Sequence, residues 1–210
     1  ILEHIIIGAR EAGVDHIALI IGHLGECIEE YFGDGSRLGV TLEYIWQTEA
    51  KGPGHAAMLA RDFVAGEDFF MSWGDIMVSP HNYGRVVQAF RPGVTDAVLS
   101  LNWVEDPCAG AAVYVKDGLV DKIIEKPAPG TSTTNYNNAG LFVYTAELFE
   151  RLGRLKPSAR GELELPDAVQ EMVSEGRRIA AVPLEGYWSD VASPAAVLRL
   201  NAVMMAERYE

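Results

Sequence analysis

The chain predicts a mixed α/β fold, a parallel core followed by an antiparallel section, on three observations. Through residue 103 helical and strand patterns alternate, the rhythm of βαβ units with right-handed crossovers. The apolar run Phe69-Phe70-Met71-Ser72-Trp73-Gly74-Asp75-Ile76-Met77-Val78 reads as a strand buried on both faces, as in a parallel sheet under helices. Beyond residue 110, two apolar runs flank Lys116-Asp117-Gly118, and an Asp-Gly pair in that setting signals a tight hairpin.

The elements follow in order. Leu2, Ile5, Ile6 and Ala9 have helical spacing, closed by Gly13. Asp15 to Ile21 is an apolar, β-branched strand, and Gly22-His23-Leu24-Gly25 turns from it into a helix over Glu26 to Phe32. Val40 to Ile45 is the next strand, delivering Gln47 to its carboxyl end. A loop with two glycines, Gly52 and Gly54, then leads into an alanine-rich helix, Ala56 to Arg61, whose first amides form a polar-ligand site. After the central apolar run come a helix from Pro80 to Phe90 and a strand from Thr95 to Trp103. Ala111 to Val115 and Leu119 to Glu125 form the hairpin arms, and Leu141 to Tyr144 a further strand. Helices over Ala146 to Leu152 and Pro166 to Val173 and a strand from Ile179 to Leu184 precede Gly186-Tyr187-Trp188-Ser189-Asp190. A last helix starts with Ser193 as N-cap and Pro194 at its first position.

At 210 residues with 49% hydrophobic content the chain buries a sizeable core as one domain. Its formal charge of −13 excludes long-range attraction to nucleic acid or to an anionic membrane. Cys27 and Cys108 match neither a metal spacing nor a disulfide framework, which suits a reducing cytoplasm. No apolar run reaches the roughly 18 residues of a membrane span.

Three polar groups sit where strands end: Gln47, Asp75 and Asp190. In open α/β sheets ligands bind outside the carboxyl ends of strands. Two carboxylates there fit a divalent cation held between protein and substrate phosphates, the usual manner of Mg²⁺. Asp75 could equally cap the turn that ends its strand. Gly74 removes a side chain where a backbone could meet a ligand. Glu125-Lys126 joins a carboxylate able to accept from sugar hydroxyls to an ammonium able to sit on a phosphate, although an exposed ion pair before Pro127 is the plainer account of the dipeptide alone. His16, His23 and Cys108 have no apparent partners, and Trp46, Trp103 and Trp188 read as packing residues.

The ordered set is more informative than any member. Gln47 with its glycine loop, Trp73-Gly74-Asp75, Gly110 before the hairpin, Glu125-Lys126-Pro127, Asn138-Ala139-Gly140, Gly161-Glu162-Leu163-Glu164-Leu165 and Trp188-Ser189-Asp190 resemble the sugar-1-phosphate nucleotidylyltransferases. Glucose-1-phosphate thymidylyl- and uridylyltransferases are typical members. The resemblance implies a Rossmann-like nucleotide-diphospho-sugar transferase fold with a mostly parallel central sheet and an antiparallel sugar-binding section. It implies transfer from a nucleoside triphosphate, UTP or dTTP before others, to a sugar 1-phosphate, giving an NDP-sugar and pyrophosphate. Gln47, Gly52 and Gly74 would then bind the nucleotide, with Gln47 reading the base. Asp75 and Asp190 would hold Mg²⁺ and, with Lys126 on the sugar's phosphate, be catalytic. Gly110, Glu125, Asn138 and Gly140 would bind the sugar. A homo-oligomer is left open.

Family members begin with a strand and a G-x-G-T-R loop that supplies the triphosphate site. The sequence opens in the helix expected after that loop, so the domain over residues 1–210 lacks both, and they are expected ahead of Ile1. Without them the chain would be a catalytically inactive nucleotide-sugar-binding or regulatory relative. Gly52-Pro53-Gly54 and Val191-Ala192-Ser193 also depart from the family's frequent residues, which bears on base and sugar preference. A metal-dependent glycosyltransferase would carry Asp-x-Asp after a strand, and Asp75 is followed by Ile76 and Met77.

Overall fold

The structure, a computed structural model, describes residues 1–209, with side chains described through Ala206. Helices α1 (Leu2–Glu11), α2 (Gly25–Phe32), α3 (Pro53–Leu59), α4 (Arg61–Val64), α5 (His81–Ala89), α6 (Glu147–Leu152), α7 (Leu165–Ser174) and α8 (Pro194–Tyr209) surround ten strands. β1 (His16–Ile21) and β2 (Thr41–Trp46) form a parallel pair. β3 (Phe69–Ser72), β5 (Ala97–Trp103), β6 (Ala111–Lys116), β7 (Leu119–Glu125), β8 (Tyr136–Tyr144) and β9 (Ile179–Pro183) form a six-stranded sheet in the order β3-β8-β5-β9-β7-β6. β4 (Ile76–Val78) and β10 (Trp188–Asp190) make a separate antiparallel ribbon.

In the large sheet β3, β5, β9 and β6 run one way and β8 and β7 the other. The parallel character lies in shared direction. Among the described residues, only β5–β9 and β1–β2 pair in parallel as adjacent strands. The central apolar run departs from the expectation most. It is two strands broken at Trp73-Gly74-Asp75, and β3 is only partly buried and pairs antiparallel with β8. An apolar run reports burial but carries nothing about the partner's direction. β8 is longer than predicted because Tyr136 to Gly140 joins it.

The core follows the alternation of β5 and β8. Leu99, Leu101, Phe142 and Tyr144 pack with Leu148, Leu165 and Met172 of α6 and α7 on one face, while Val98, Leu141 and Val143 meet Ile76, Tyr83 and Val86 on the other. Burying each such aliphatic side chain contributes about 1.5–3 kcal/mol. α1 closes on α5 through Gly8, whose missing Cβ would lie 2.5 Å from the Tyr83 ring. In the β6–β7 hairpin, Asp117 (φ 51°) and Gly118 (φ 78°) both adopt the left-handed region, the conformation that lets a two-residue turn match strand twist.

β1 and β3 each have a partner on one edge only. Both line a cavity of about 1000 Å³ walled by α1 on one side and by α3 and α4 on another. β1 is accordingly only half-buried, not the buried strand its composition suggests.

Candidate active site

Strand ends and two glycine contacts build the site. The Gln47 backbone N–H donates to Ile21 O (2.7 Å), and its side-chain Nε2 meets His55 Nδ1 at 2.9 Å, so the amide has a partner on the first turn of α3. The loop between them is tied to residues 158–165: Leu163 N–H donates to Lys51 O (3.0 Å) and Gly54 N–H to Leu163 O (2.9 Å). Gly52 is held against that second loop, since a Cβ there would meet Glu162 Cβ at 2.8 Å. Its lack of a side chain thus serves a protein contact. A Cβ on Gly74, by contrast, would have nothing within 4 Å.

Asp75 and Asp190 come together on one ribbon. β10 runs antiparallel to β4 with Asp190 opposite Ile76, and Val191 N–H donates to Asp75 O (2.8 Å). Both acids are exposed. The ribbon is moored by Trp188, whose Nε1 donates to Ala139 O at 2.9 Å, and by Trp73, whose N–H donates to Gly140 O at 3.0 Å. Gly140 (φ 89°) lies under the Trp73 ring, where a Cβ would be 2.4 Å from Cε3. Asn138, 2% exposed, accepts from Gly140 N–H through Oδ1 (3.2 Å). Gly140 therefore packs against Trp73 and the start of β4, and Asn138 holds its amide.

The third corner is the end of β7. Lys126 takes a left-handed backbone (φ 42°), and its N–H donates to Gly110 O at 2.8 Å. Non-glycine residues held in that region cluster at ligand clamps. Gly110 N–H donates to Pro107 O (3.1 Å), so its amide is already engaged and only its carbonyl has a lone pair to spare. A Cβ on Gly110 would sit 2.3 Å from Asn137 Oδ1.

Two groups that sequence reasoning missed surround Glu125. Arg160 Nη2 lies 3.3 Å from Glu125 Oε1 and 2.8 Å from Glu164 Oε1, and Glu164 is 4% exposed and also accepts from Ser158 Oγ at 2.7 Å. Burial, then the neighbouring Glu164, lifts the Glu125 carboxyl above the ordinary range, against the pull of Arg160 and Lys126. For Glu164 burial acts upward too, but the Ser158 hydroxyl and Arg160 outweigh it and its pKa falls. Arg160 precedes the Gly161-Glu162-Leu163-Glu164-Leu165 motif by one residue, and that adjacency was the only available signal. Of the side residues, His16 does have a partner, Glu43 at 2.8 Å, and Trp103 is 69% exposed rather than packed.

Among the described residues no group of three or more His, Cys, Asp and Glu could hold a metal. The oxygen donors of Asp75 and Asp190 fit a hard cation that completes its shell with substrate phosphates and water.

An α/β domain with a carboxylate pair beside its strand ends is the class these features define. Residues 1–207 match the nucleotidyl transferase family, and the chain belongs to that family. It is 36% identical over 210 residues to the low-salt glycan biosynthesis nucleotidyltransferase Agl11 of Haloferax volcanii, covering 99% of this chain and 58% of that protein. It is 33% identical to a glucose-1-phosphate thymidylyltransferase of Streptomyces griseus, covering 93% of this chain and 55% of that one. The chain thus spans little more than half the length of these relatives. In structure it resembles a glucose-1-phosphate thymidylyltransferase of Bacillus anthracis with a TM-score of 0.85 at 27% identity, over 96% of this chain and 81% of that one. No helix among the described residues is long and apolar enough to cross a membrane.

Proposed function

We propose that the protein transfers a nucleotidyl group from UTP or dTTP to a sugar 1-phosphate, with glucose 1-phosphate the first candidate. The observation that carries this is the placing of Asp75 and Asp190 on one ribbon, moored to β8 through Ala139 and Gly140. A sugar-phosphate oxygen attacks the α-phosphorus in line, a P–O–P bond forms, and the bond to the β-phosphate breaks to release pyrophosphate. Such a step needs positioning and charge neutralisation more than covalent help. Asp75 and Asp190 would hold Mg²⁺, which when bound would supply positive charge at the phosphates. Gln47 and the Gly52 and Gly74 backbone orient the base and nucleotide. Lys126 and the neighbouring Arg160 meet the sugar's phosphate, while Glu125, Asn138 and the Gly110 carbonyl take sugar hydroxyls.

The cavity between β1 and β3 supports a companion proposal: a strand seated there completes the sheet and carries the triphosphate-binding loop to the same strand ends. Pyrophosphate release is the test, assayed with each common nucleoside triphosphate, glucose 1-phosphate and Mg²⁺, on protein with and without a G-x-G-T-R strand and loop ahead of Ile1. Release that needs both substrates and the cation is expected with the loop present. Tight NDP-sugar binding with no release in either form would instead establish the inactive relative.

A further inference from the structure

The β4–β10 ribbon has only three residue pairs, and a two-stranded ribbon of that size is marginal by itself. What continues it is a side chain. Asn82, fully buried in the first turn of α5, treats Glu185 as a neighbouring strand would: Oδ1 accepts from Glu185 N–H (3.0 Å) and Nδ2 donates to Glu185 O (2.8 Å). Its remaining positions are also filled, since Nδ2 donates to Ser79 O (3.0 Å) and Arg85 Nη1 donates to Oδ1 (3.0 Å). An amide offers two donors and two acceptor sites, and all four are used. Ser79 adds a second rung: its N–H donates to Tyr187 O (3.1 Å) and its Oγ accepts from Tyr187 N–H (2.9 Å). Gly186 makes room, because a Cβ there would lie 2.3 Å from Ser79 Oγ. Ser79 directly follows β4, so one short segment clamps residues 185–187 and thereby fixes the path of β10 into Asp190.

We propose that Asn82, assisted by Ser79, is a positioning residue for the carboxylate pair. It sets the register that places Asp190 beside Asp75, and so tunes the affinity for the divalent cation without touching cation or substrate. The inference rests on the two acids acting together as proposed above. A buried, fully bonded asparagine between a helix and an irregular loop could serve stability alone, and the two roles separate experimentally.

The test uses the protein with a G-x-G-T-R strand and loop placed ahead of Ile1, as wild type, Asn82→Ala, the milder Ser79→Ala, Asp190→Asn, and Asn82→Ala and Ser79→Ala each combined with Asp190→Asn. Mn²⁺ binding is titrated in the presence of UTP and of dTTP, and amide hydrogen exchange is followed over residues 185–191. Loss of an outer-shell partner typically weakens metal affinity about 10–100-fold. We expect about a tenfold or greater loss for Asn82→Ala, a smaller one for Ser79→Ala, faster exchange confined to residues 185–191, and no further loss when either is added to Asp190→Asn. Wild-type Mn²⁺ affinity in both variants, or losses that add fully to that of Asp190→Asn, would overturn the inference. If Asn82→Ala does not fold, Ser79→Ala decides by the same criteria. A wild-type protein that binds no Mn²⁺ with either nucleotide would instead sink the carboxylate-pair assignment itself.

Discussion

At the scale of single residues, Glu125 and Glu164 show how one guanidinium divides two acids. Arg160 reaches both, yet the Glu125 carboxyl is lifted above its ordinary 4.5 and that of Glu164 is lowered below it. A carboxyl whose folded pKa is raised favours the folded state while protonated. That contribution is complete below the ordinary value and is lost as pH rises through the raised one. At neutral pH ionised Glu125 therefore weighs against the fold. Glu125→Gln is expected to raise stability at pH 7 by about 0.5–2 kcal/mol, the usual yield of relieving such a site, and the gain should vanish near pH 4. The same change removes a charged acceptor worth about 1.5–3 kcal/mol, so KM for the sugar 1-phosphate should rise about 10–100-fold with KM for the nucleotide little altered. Thermal melts across pH and steady-state kinetics check the two halves. Glu164 has the opposite sign: its contribution is present above the ordinary value and lost as pH falls through the lowered one. The sequence exposed Glu125 through its setting in Glu125-Lys126-Pro127. Arg160 was not legible, because a cation at the end of Lys156-Pro157-Ser158-Ala159-Arg160 has no period or partner until the chain folds back.

At the scale of elements, most boundaries were readable and most pairings were not. The Asp117-Gly118 turn, the Gly13 stop after α1 and the Ser193 cap before α8 are local chemistry, and each appears where its residues put it; Ala196 N–H donates to Ser193 Oγ at 3.2 Å. The insertion of β8 between β3 and β5, and the ribbon joining Asp75 to Asp190, are set by contacts across more than thirty positions and leave no local trace. The tie between α6 and α7 is similarly hidden. Arg151, with its side chain 5% exposed, meets Glu147 at 2.6 Å and Glu175 at 2.7 Å, while Arg177 meets Glu147 at 2.7 Å. Arg151→Ala would take the buried guanidinium from Glu175, leave Glu147 to Arg177 alone, and open a space in the helix pair. Its cost is expected to be about 1.5–3 kcal/mol, the range for losing hydrogen bonds to charged groups. In urea the midpoint should fall with the slope unchanged, since the surface exposed on unfolding is nearly the same. A slope that changed with the midpoint would mean that α6 and α7 separate as an independent unit.

At the scale of the whole molecule, the cavity between β1 and β3 decides how the two sheets relate. Each strand has one partnered edge, both line the same space of about 1000 Å³, and α1, α3 and α4 wall it with apolar residues such as Ile5, Ile6, Ala57 and Val64. An unpaired edge offers a row of backbone donors and acceptors, and two such edges along one apolar space form a template for an extended segment with apolar side chains on both faces. Ordering such a strand costs about 1.5 kcal/mol per residue. Burial of each Val, Ile or Leu side chain returns about 1.5–3 kcal/mol, and ladder hydrogen bonds can form on both sides. The balance favours insertion by a few kcal/mol for a strand of about five residues. Placing a family-type first strand and loop ahead of Ile1 is thus expected to slow amide exchange in His16–Ile21 and Phe69–Ser72 by about tenfold or more, which is what closing an edge by roughly 1.4 kcal/mol requires. Binding of a hydrophobic dye should fall in parallel, because the same apolar walls are covered. If exchange in these two strands stays as fast with the added strand as without it, the cavity is not its seat, and the triphosphate loop must reach the carboxylate pair by another route.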